Sequence, residues 1–344
     1  MKHIQNTLYV TQEGAFVHKD GESIVIHLEH KKIAQFPMHA IGEIVCFGFG
    51  VTVSAPLTEH CAGAGVTVTY LNGNGRFLAR MVGPMHGNVL LRRRQYRDAD
   101  DKLRSLDIAR CCIAAKVSNQ RNVLLRFLRN HSDAERAADV ESAIEKMASA
   151  QRRIENAGCH ESLRGIEGDS AETYFSVLNC MIRVPDPELK FEGRNRRPPL
   201  DRVNALMSFA YSILALDMRS ALESVGLDPY VGFLHVERPG RPSLALDMAE
   251  EFRAPFADRL VLSLVNLKQV APDDFTVQAS GEVEMKPDTR KLFLAAYQKR
   301  KRETVRHPFL EEDMEIGLAF LAQARLLARH IRGDLDYYPA MLWR

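Results

Sequence analysis

Residues 232–253 read GFLHVERPGRPSLALDMAEEFR, and the rest of the chain can be organised around this stretch. An apolar run ends at His235, and a turn rich in proline and arginine follows. A short helix is then predicted, with Ser243 at the N-cap position, where its hydroxyl can accept a hydrogen bond from the first turn. Asp247 and Glu250 stand three residues apart on nearly one face of that helix. Because apolar residues flank Asp247, its carboxylate is predicted to be partly desolvated and to need a partner or a metal ion.

The composition is that of a folded protein without a strong overall charge. At 344 residues the chain is long enough for two domains, and its 46% hydrophobic residues predict a packed core. Lysine and arginine total 46 against 44 acidic residues, so any basic surface must come from local clusters. The six cysteines include no C-x-x-C pair, which argues against a zinc knuckle or a disulfide framework. We recognise no secretory signal and no apolar run of about 18 residues, and therefore expect a cytoplasmic protein without a membrane span.

The first part of the chain has the pattern of short strands. Alternating or apolar runs, separated by frequent turn signals, predict β structure over residues 7–82. Asp20-Gly21 is typical of a hairpin turn, and one short helix is predicted over 56–63, with a proline in its first turn. A compact β domain fits this pattern.

Beyond residues 83–87 the apolar period becomes helical. The predicted helices cover residues 89–97, 103–119, 121–130, 134–157, 170–181, 204–225, 256–266, 288–302 and 312–332. Prolines between 183 and 199 predict a loop. The predicted fold class is therefore α+β, with a small N-terminal β domain over residues 1–84 and a larger all-α-helical domain over residues 85–344.

A further acidic residue stands out in the helical part. Glu167 lies between Gly165 and Gly168, and glycines permit close approach of the backbone to a ligand or to another helix. Together with His235 and Asp247 it forms a mixed set of nitrogen and oxygen donors. Oxygen-rich sites suit Mg²⁺ and Mn²⁺, and an imidazole shifts the preference towards Mn²⁺ or another transition metal.

Each of these residues also has an ordinary structural interpretation. Asp247 and Glu250 could be charges on a helix surface, with Glu250 paired to Arg253. His235 could be a histidine whose hydrogen bonds are satisfied in the core, and Glu167 could be a loop or capping acid. The residues taken singly leave these alternatives open.

Two further patterns accompany the candidate site. Arg238 and Arg241 lie in the turn between the histidine and the helix, and arginine is well suited to bidentate contact with phosphate. A solvated loop is the alternative. Asn204, Ser208 and Tyr211 form a polar stripe on a mostly apolar helix, either to fix helix packing or to support metal ligands from behind.

Three stretches taken together resemble one family, the CRISPR-associated spacer-integration endonucleases of the Cas-one family. They are GIEG at 165–168, PPLDRVNALMSF at 198–209, and GFLH at 232–235 followed by LDMAEEFR at 246–253. Their order and spacing agree with the family, and NTLYVT at 6–11 resembles its start, so the similarity covers nearly the whole chain. The last motif and the N-terminus look most like subtype I-C.

The resemblance implies a site. Glu167, His235 and Asp247 would be the catalytic residues and the ligands of a divalent cation, Mg²⁺ or Mn²⁺. Glu250 stands where many members have aspartate and would be a supporting residue. We expect Asn204 and Ser208 to support the site as well, and the two arginines of the turn, Arg238 and Arg241, to bind DNA.

The resemblance also implies an activity and partners. The activity is that of a metal-dependent DNA endonuclease and integrase, which inserts short DNA fragments as new spacers by attack of a 3′-hydroxyl on a phosphodiester at the end of a CRISPR repeat. The partners are double-stranded DNA, a second copy bound through the β domain, and a Cas-two protein in a heterohexamer. A non-catalytic DNA-binding scaffold is the first alternative. A metal-dependent hydrolase of small molecules is the second, and it predicts a deep enclosed pocket rather than an open groove lined with arginine.

Overall fold

The structure is a computed structural model that describes residues 6–72, 77–83, 89–131, 136–195 and 198–343. It divides into two compact units. The first comprises Met1–His86 with Pro287–Lys299, and the second comprises Gly87–Lys286 with Arg300–Arg344. The assignment of residues 1–84 as a dimerisation domain and of 85–344 as a catalytic domain stays a prediction.

Strands form most of the first unit. In chain order they are β1 (Asn6–Val10), β2 (Phe16–Asp20), β3 (Ser23–Leu28), β4 (Lys31–Pro37), β5 (Ile41–Phe47), β6 (Thr52–Val53), then helix α1 (Ala55–Ala64), β7 (Thr67–Leu71) and β8 (Phe77–Met81). They make two four-stranded sheets, ordered β1-β5-β7-β8 and β4-β3-β2-β6. Alternate apolar side chains of both sheets, such as Val17 and Ile44, share one core with Leu57 and Cys61 of α1.

Two local predictions for this unit are confirmed. β2 and β3 pair in antiparallel fashion up to the pair Asp20 and Ser23, and Gly21 between them has a φ of 55°, which a glycine adopts without strain. The predicted short helix is α1, whose first turn is capped by the hydroxyl of Ser54 accepting from the N–H of Leu57.

Helices dominate the rest of the chain. They are α2 (Val89–Asp100), α3 (Lys102–Asn130), α4 (Ala137–Glu155), α5 (His160–Ser176), α6 (Arg202–Ser224), α7 (Ser243–Phe252), α8 (Arg259–Asn266), α9 (Pro287–Lys301) and α10 (Ile316–Arg332). α7 packs against both α3 and α6, and α5 packs on α3. This arrangement brings side chains from α3, α5 and α7 to one place in the second unit.

Two helices differ strongly from their predicted limits, whereas the ends of the others lie within four residues of the prediction. α3 is continuous where two helices were predicted, and its polar residues Asn119 and Gln120 are buried inside it rather than marking a break. α5 begins at His160, ten residues earlier than predicted. Gly165 and Gly168 lower helix propensity by about 1 kcal/mol each, and burial of apolar residues such as Ile166 overrides that local preference.

The prediction of an all-α-helical second part is wrong in detail. Two short antiparallel sheets lie in it, β9 (Phe275–Val277) with β10 (Val283–Met285), and β11 (Thr304–Arg306) with β12 (Asp313–Glu315). Each strand has three residues, too few for an alternating pattern to separate a strand from a loop in the sequence. The mixed α+β class, with β sheets first and mostly helices after, is confirmed.

Helix α6 packs against α7, α8 and α10 and buries many of its side chains. Its N-cap is Asp201, whose Oδ1 accepts a hydrogen bond from the N–H of Asn204 at 2.7 Å. Within the described ranges it is the one helix whose length and hydropathy would suffice to cross a membrane. More than half of that apolar window is already buried inside the protein, as in a core helix.

Candidate active site

Helix α7 is joined to the loop before it by backbone hydrogen bonds. The helix begins at Ser243, and the residue in its N-cap position is Pro242. The N–H groups of Leu244 and Ala245 donate to the carbonyl of Pro229, at 3.0 and 3.3 Å. Because a loop carbonyl satisfies the donors of the first turn, no serine hydroxyl is needed there, and the predicted role of Ser243 as N-cap is wrong.

Asp247 is fully buried and its carboxylate holds the loop. Oδ2 accepts from the N–H groups of Phe233 and Leu234 at 2.7 and 3.0 Å. Oδ1 accepts from the N–H of His235 at 3.0 Å and lies 2.6 Å from its imidazole Nδ1. A carboxylate offers about four lone-pair positions, so these four contacts use them all. Gly232 allows the close approach, since a Cβ there would lie 2.7 Å from Oδ2.

The imidazole of His235 is oriented by that contact. An ionised Asp247 only accepts hydrogen bonds, so Nδ1 is assigned as the donor, and in the neutral ring Nε2 then keeps its lone pair. Nε2 lies 3.9 Å from Oε1 of Glu250. A histidine that donates one ring N–H to a carboxylate and presents the other nitrogen is typical of a metal ligand.

Glu250 is buried among positive charges. Its Oε1 lies 2.5 Å from Nη1 of Arg253, so the ion pair that the sequence left open is present. Its Oε2 lies 3.0 Å from Nζ of Lys116. Burial alone would raise the pKa of Glu250, but the charges of Arg253, Lys116 and His235 outweigh it and lower the pKa to about 2. This carboxylate is therefore ionised at neutral pH.

Glu167 reaches the same place from α5. Its Oε1 accepts a hydrogen bond from Nζ of Lys116, which thereby links Glu167 to Glu250. A Cβ added at Gly165 or Gly168 would meet nothing within 4 Å, so contact inside this chain does not require either glycine. The two glycines instead leave the surface on both sides of Glu167 open.

The predicted polar stripe of α6 binds an arginine. Nη1 of Arg194 donates to Oδ1 of Asn204 at 2.7 Å and to the hydroxyl of Ser208 at 3.2 Å. The guanidinium of Arg194 also lies 5.1 Å from the ring centre of Tyr211, and that of Arg253 lies 4.8 Å from the same ring. Asn204 and Ser208 thus connect to Glu250 through Arg194, Tyr211 and Arg253.

The chain leaves α7 through a π-helical segment, Arg253–Asp258. Such a wide turn re-aims side chains and often occurs at functional sites. Arg253 at its start faces Glu250, while Asp258 at its end accepts a hydrogen bond from the hydroxyl of Tyr211 at 2.6 Å. Burial raises the pKa of Asp258 to about 6, although its hydrogen bonds with Tyr211 and Tyr174 oppose that rise.

The two arginines predicted to bind DNA lie in the turn between His235 and α7. Arg238 is exposed, and its carbonyl accepts a hydrogen bond from the N–H of Arg241 at 3.0 Å. Arg241 is half-buried. Their role in binding DNA stays a prediction.

The opposite side of the loop is held by a second set of contacts. The carbonyl of Phe233 accepts from the hydroxyl of Ser105 at 3.1 Å and lies 2.9 Å from Nε2 of His160. A pocket of about 660 Å³ opens here, lined by the end of α2, the start of α3, the start of α5 and residues 232–237. His235 therefore stands between this pocket and the acidic side chains.

In the structure His235 contacts Asp247 and lies 3.9 Å from Glu250, and Lys116 joins Glu250 to Glu167. Within the described ranges no three histidine, cysteine, aspartate or glutamate side chains lie close enough to enclose a metal ion by themselves. Two carboxylates and an imidazole nitrogen are nevertheless the types of donor that a hard divalent cation accepts.

Lys116 is the residue that sequence reasoning missed. It is buried in α3, and it is the only charged residue between Arg110 and Arg121. A lone charge on an otherwise apolar stretch of helix was the available signal, since a buried ammonium needs an acidic partner. Nothing in the spacing of the sequence says that its partners are Glu167 and Glu250.

Fold and site together define an α+β protein with a candidate cation site on its helical unit. The family described as "CRISPR associated protein Cas1" matches residues 8–299. The chain belongs to this family, and the resemblance drawn from its three motifs is confirmed at that level.

Two full-length relatives carry the name of the same family. The chain is 49% identical over 344 residues to "CRISPR-associated endonuclease Cas1 1" of Chlorobaculum tepidum, and all of both chains is covered. It is also 49% identical over 348 residues to "CRISPR-associated endonuclease Cas1 2" of Rhodospirillum rubrum, again with both chains covered in full.

Solved structures share the fold. A CAS1 protein from Thermotoga maritima has a TM-score of 0.80 at 24% identity, over 95% of this chain and 97% of that one. A casposase bound to its integration product has a TM-score of 0.84 at 21% identity, over 98% and 94%. A chain of a Cas6-RT-Cas1–Cas2 complex has a TM-score of 0.82 at 19% identity, with all of this chain matching 36% of that one.

Proposed function

We propose that this chain is the metal-dependent endonuclease and integrase of CRISPR adaptation, which inserts short DNA fragments as new spacers. Its close relatives are named as CRISPR-associated endonucleases. The observation that carries the proposal is the oriented imidazole of His235, whose Nε2 faces Glu250 beside the link from Glu167 through Lys116. Such a group of donors suits a hard divalent cation, Mg²⁺ or Mn²⁺.

The ligands of this cation were predicted to be Glu167, His235 and Asp247. The geometry supports different roles for the two acids of α7, Asp247 and Glu250. All lone-pair positions of Asp247 serve the loop and the imidazole, whereas Glu250 faces Nε2 and is ionised. We therefore propose that Glu167, His235 and Glu250 hold the cation and that Asp247 positions the imidazole.

The reaction is a phosphodiester transesterification. The 3′-oxygen of the incoming fragment forms a bond to phosphorus at the repeat end, the bond to the leaving 3′-oxygen breaks, and that oxygen takes up a proton. When bound, the cation supplies charge stabilisation for the phosphoryl oxygens and favours the deprotonated nucleophile. With water in place of the 3′-hydroxyl, the same site nicks DNA.

Residues of the chain itself orient the imidazole and hold the DNA backbone. His235 is locked in one tautomer by Asp247, so its Nε2 stays unprotonated in the neutral ring. Arg238 and Arg241, in the turn that follows, hold the DNA backbone near the site, because guanidinium groups contact phosphate in bidentate fashion. Such contacts position the DNA, and sequence choice comes mostly from DNA shape and from partners.

The assembly completes the proposal. The chain forms a homodimer through the N-terminal domain, where Phe16, Phe49 and Phe77 leave large apolar surfaces exposed. It binds a Cas2 partner in a heterohexamer, in keeping with the shared fold of a chain from a Cas1–Cas2 complex. Subtype I-C and a cytoplasmic location belong to the same proposal, on the wording of the motif at 246–253 and on the CRISPR function.

Strand transfer tests the proposal directly. Native protein with its Cas2 partner and Mn²⁺ is given a DNA fragment and a repeat-containing plasmid, and joined product is measured. We expect product from the native protein and a loss of at least roughly a hundredfold in His235→Ala. His330→Ala is the matched control, because its ring contacts the carbonyl of Leu335 instead of a site residue, and it should act as the native protein.

The competing hypothesis is that the chain is a non-catalytic DNA-binding scaffold. It predicts that native protein and His235→Ala bind the fragment equally and that any joined product is independent of the substitution. Equal product from native protein and His235→Ala would refute the proposed site.

A further inference from the structure

Lys116 is a buried ammonium held between two acids. Only 5% of this residue is exposed, and its Nζ donates to Glu167 while lying 3.0 Å from Oε2 of Glu250. The two carboxylates come from different helices, α5 and α7, and the lysine comes from a third, α3. It is thus the one described side chain that joins all three elements at the candidate site through charge.

The charges around it already balance. Glu167 and Glu250 contribute two negative charges, and Lys116 and Arg253 contribute two positive ones. A buried carboxylate without a counter-ion is strongly destabilising, so Lys116 and Arg253 stabilise these two carboxylates in the absence of an added ion. A divalent cation entering this place would meet two carboxylates, Glu167 and Glu250, whose charges are already compensated.

We infer that Lys116 is an internal counter-ion, which holds Glu167 and Glu250 together before the cation binds and has to leave them for the cation to bind. The inference rests on the proposed function, since it assigns these two carboxylates to the cation. Lys116 is therefore a positioning residue, and its presence weakens the resting affinity of the site for a divalent ion.

Electrostatics fixes the direction of the effect. The ammonium of Lys116 lies against both carboxylates, so it repels a divalent ion placed there and also occupies oxygens that the ion needs. A neutral side chain of similar length removes both effects. It leaves an uncompensated negative charge in the metal-free protein, which the ion then neutralises.

Binding of Mn²⁺ alone tests this inference. The free ion is followed by its electron paramagnetic resonance signal while protein is added, and thermal unfolding is recorded with and without Mn²⁺. For Lys116→Met we expect a lower melting temperature without metal, a dissociation constant for Mn²⁺ roughly tenfold smaller than that of the native protein, and a larger rise in melting temperature on adding Mn²⁺. Lys116→Gln repeats the test with a polar side chain.

Two controls separate charge from packing. Lys116→Arg keeps the positive charge and should bind Mn²⁺ about as the native protein does. Lys301→Met removes another buried lysine, whose Nζ lies 2.7 Å from Oδ1 of Asp217, and should lower the melting temperature without changing the affinity for Mn²⁺.

Two different results would contradict the role of Lys116 and the cation site. If native protein binds Mn²⁺ and both Lys116→Met and Lys116→Gln bind it equally or more weakly, the role of Lys116 as a displaced counter-ion is overturned while the cation site stands. If native protein and His235→Ala bind Mn²⁺ alike, the proposed site itself is overturned.

Discussion

The replacement Asp247→Asn separates the two roles considered for this residue. The native carboxylate accepts from three backbone N–H groups and from the imidazole Nδ1 of His235, two contacts on each oxygen. Asparagine keeps one acceptor oxygen and replaces the other with an NH₂ group, which only donates. Two of the four N–H groups then face the NH₂ group of asparagine, whichever way the amide is turned.

The loss can be estimated from those contacts. Hydrogen bonds to a charged acceptor contribute about 1.5–3 kcal/mol each, so two lost bonds amount to about 3–6 kcal/mol. The imidazole recovers part of this by changing tautomer, since an unprotonated Nδ1 can accept from the new NH₂ group. We therefore expect the free energy of unfolding to fall by about 3 kcal/mol.

The change of tautomer matters more for function than the loss of stability. Once Nδ1 has lost its proton, the neutral ring of His235 carries it on Nε2, and that nitrogen can no longer bind a cation. We expect the affinity for Mn²⁺ to fall by 10- to 100-fold, the range usual for a lost partner of a ligating histidine.

The assay combines three readouts on one protein. Denaturant unfolding gives the stability, an Mn²⁺ titration gives the affinity, and ¹⁵N NMR of histidine-labelled protein reports which ring nitrogen of His235 carries the proton. Asp228→Asn is the control, because its carboxylate contacts the hydroxyl of Tyr96 and the N–H of Tyr230 instead of an imidazole. If Asp247→Asn keeps the native tautomer and the native Mn²⁺ affinity, the positioning role is refuted.

Three further predictions follow from contacts in and around the site. Gly232→Ala places a Cβ 2.7 Å from Oδ2 of Asp247, so we expect a loss of about 1–3 kcal/mol in unfolding free energy and slower strand transfer; a native-like melting curve would contradict the close approach. Glu250 has a folded pKa of about 2 against an ordinary value of 4.5, so its contribution of about 3 kcal/mol is present above pH 4.5 and is lost as the pH falls towards 2. Urea unfolding between pH 2 and 6 should show this fall in the native protein and not in Glu250→Gln; parallel curves would contradict it. Asn119→Ala removes three hydrogen bonds: two donated to the carbonyls of Glu251 and Met341, at 2.8 Å each, and one accepted from the N–H of Trp343 at 2.9 Å. It should lower the unfolding free energy by about 2–4 kcal/mol; limited proteolysis of the C-terminal segment checks it, and unchanged resistance would speak against this anchor.

Sequence patterns were sufficient wherever the determining interaction is local. The Asp20-Gly21 turn, the short helix that has Pro56 in its first turn and the long apolar helix after Asp201 follow from residue type and period. The start of α5 was misplaced because two glycines weaken helix propensity locally while burial elsewhere in the same helix restores it. Propensity is a property of the segment, whereas burial depends on what packs against it.

By itself the sequence determined the family, the order of β and helical parts, and the histidine and acids from which the site is drawn, because motif spacing and apolar period are written along the chain. Only the tertiary structure decided which role each of those residues has in the site. It turned Asp247 towards the backbone of 233–235, set Glu250 opposite the imidazole of His235, and placed Lys116 between two acids. These contacts join residues 12 to 134 positions apart, and their distances depend on how α3, α5 and α7 pack. No local propensity encodes that packing, so the direction in which a carboxylate points could not be read from its neighbours in the chain.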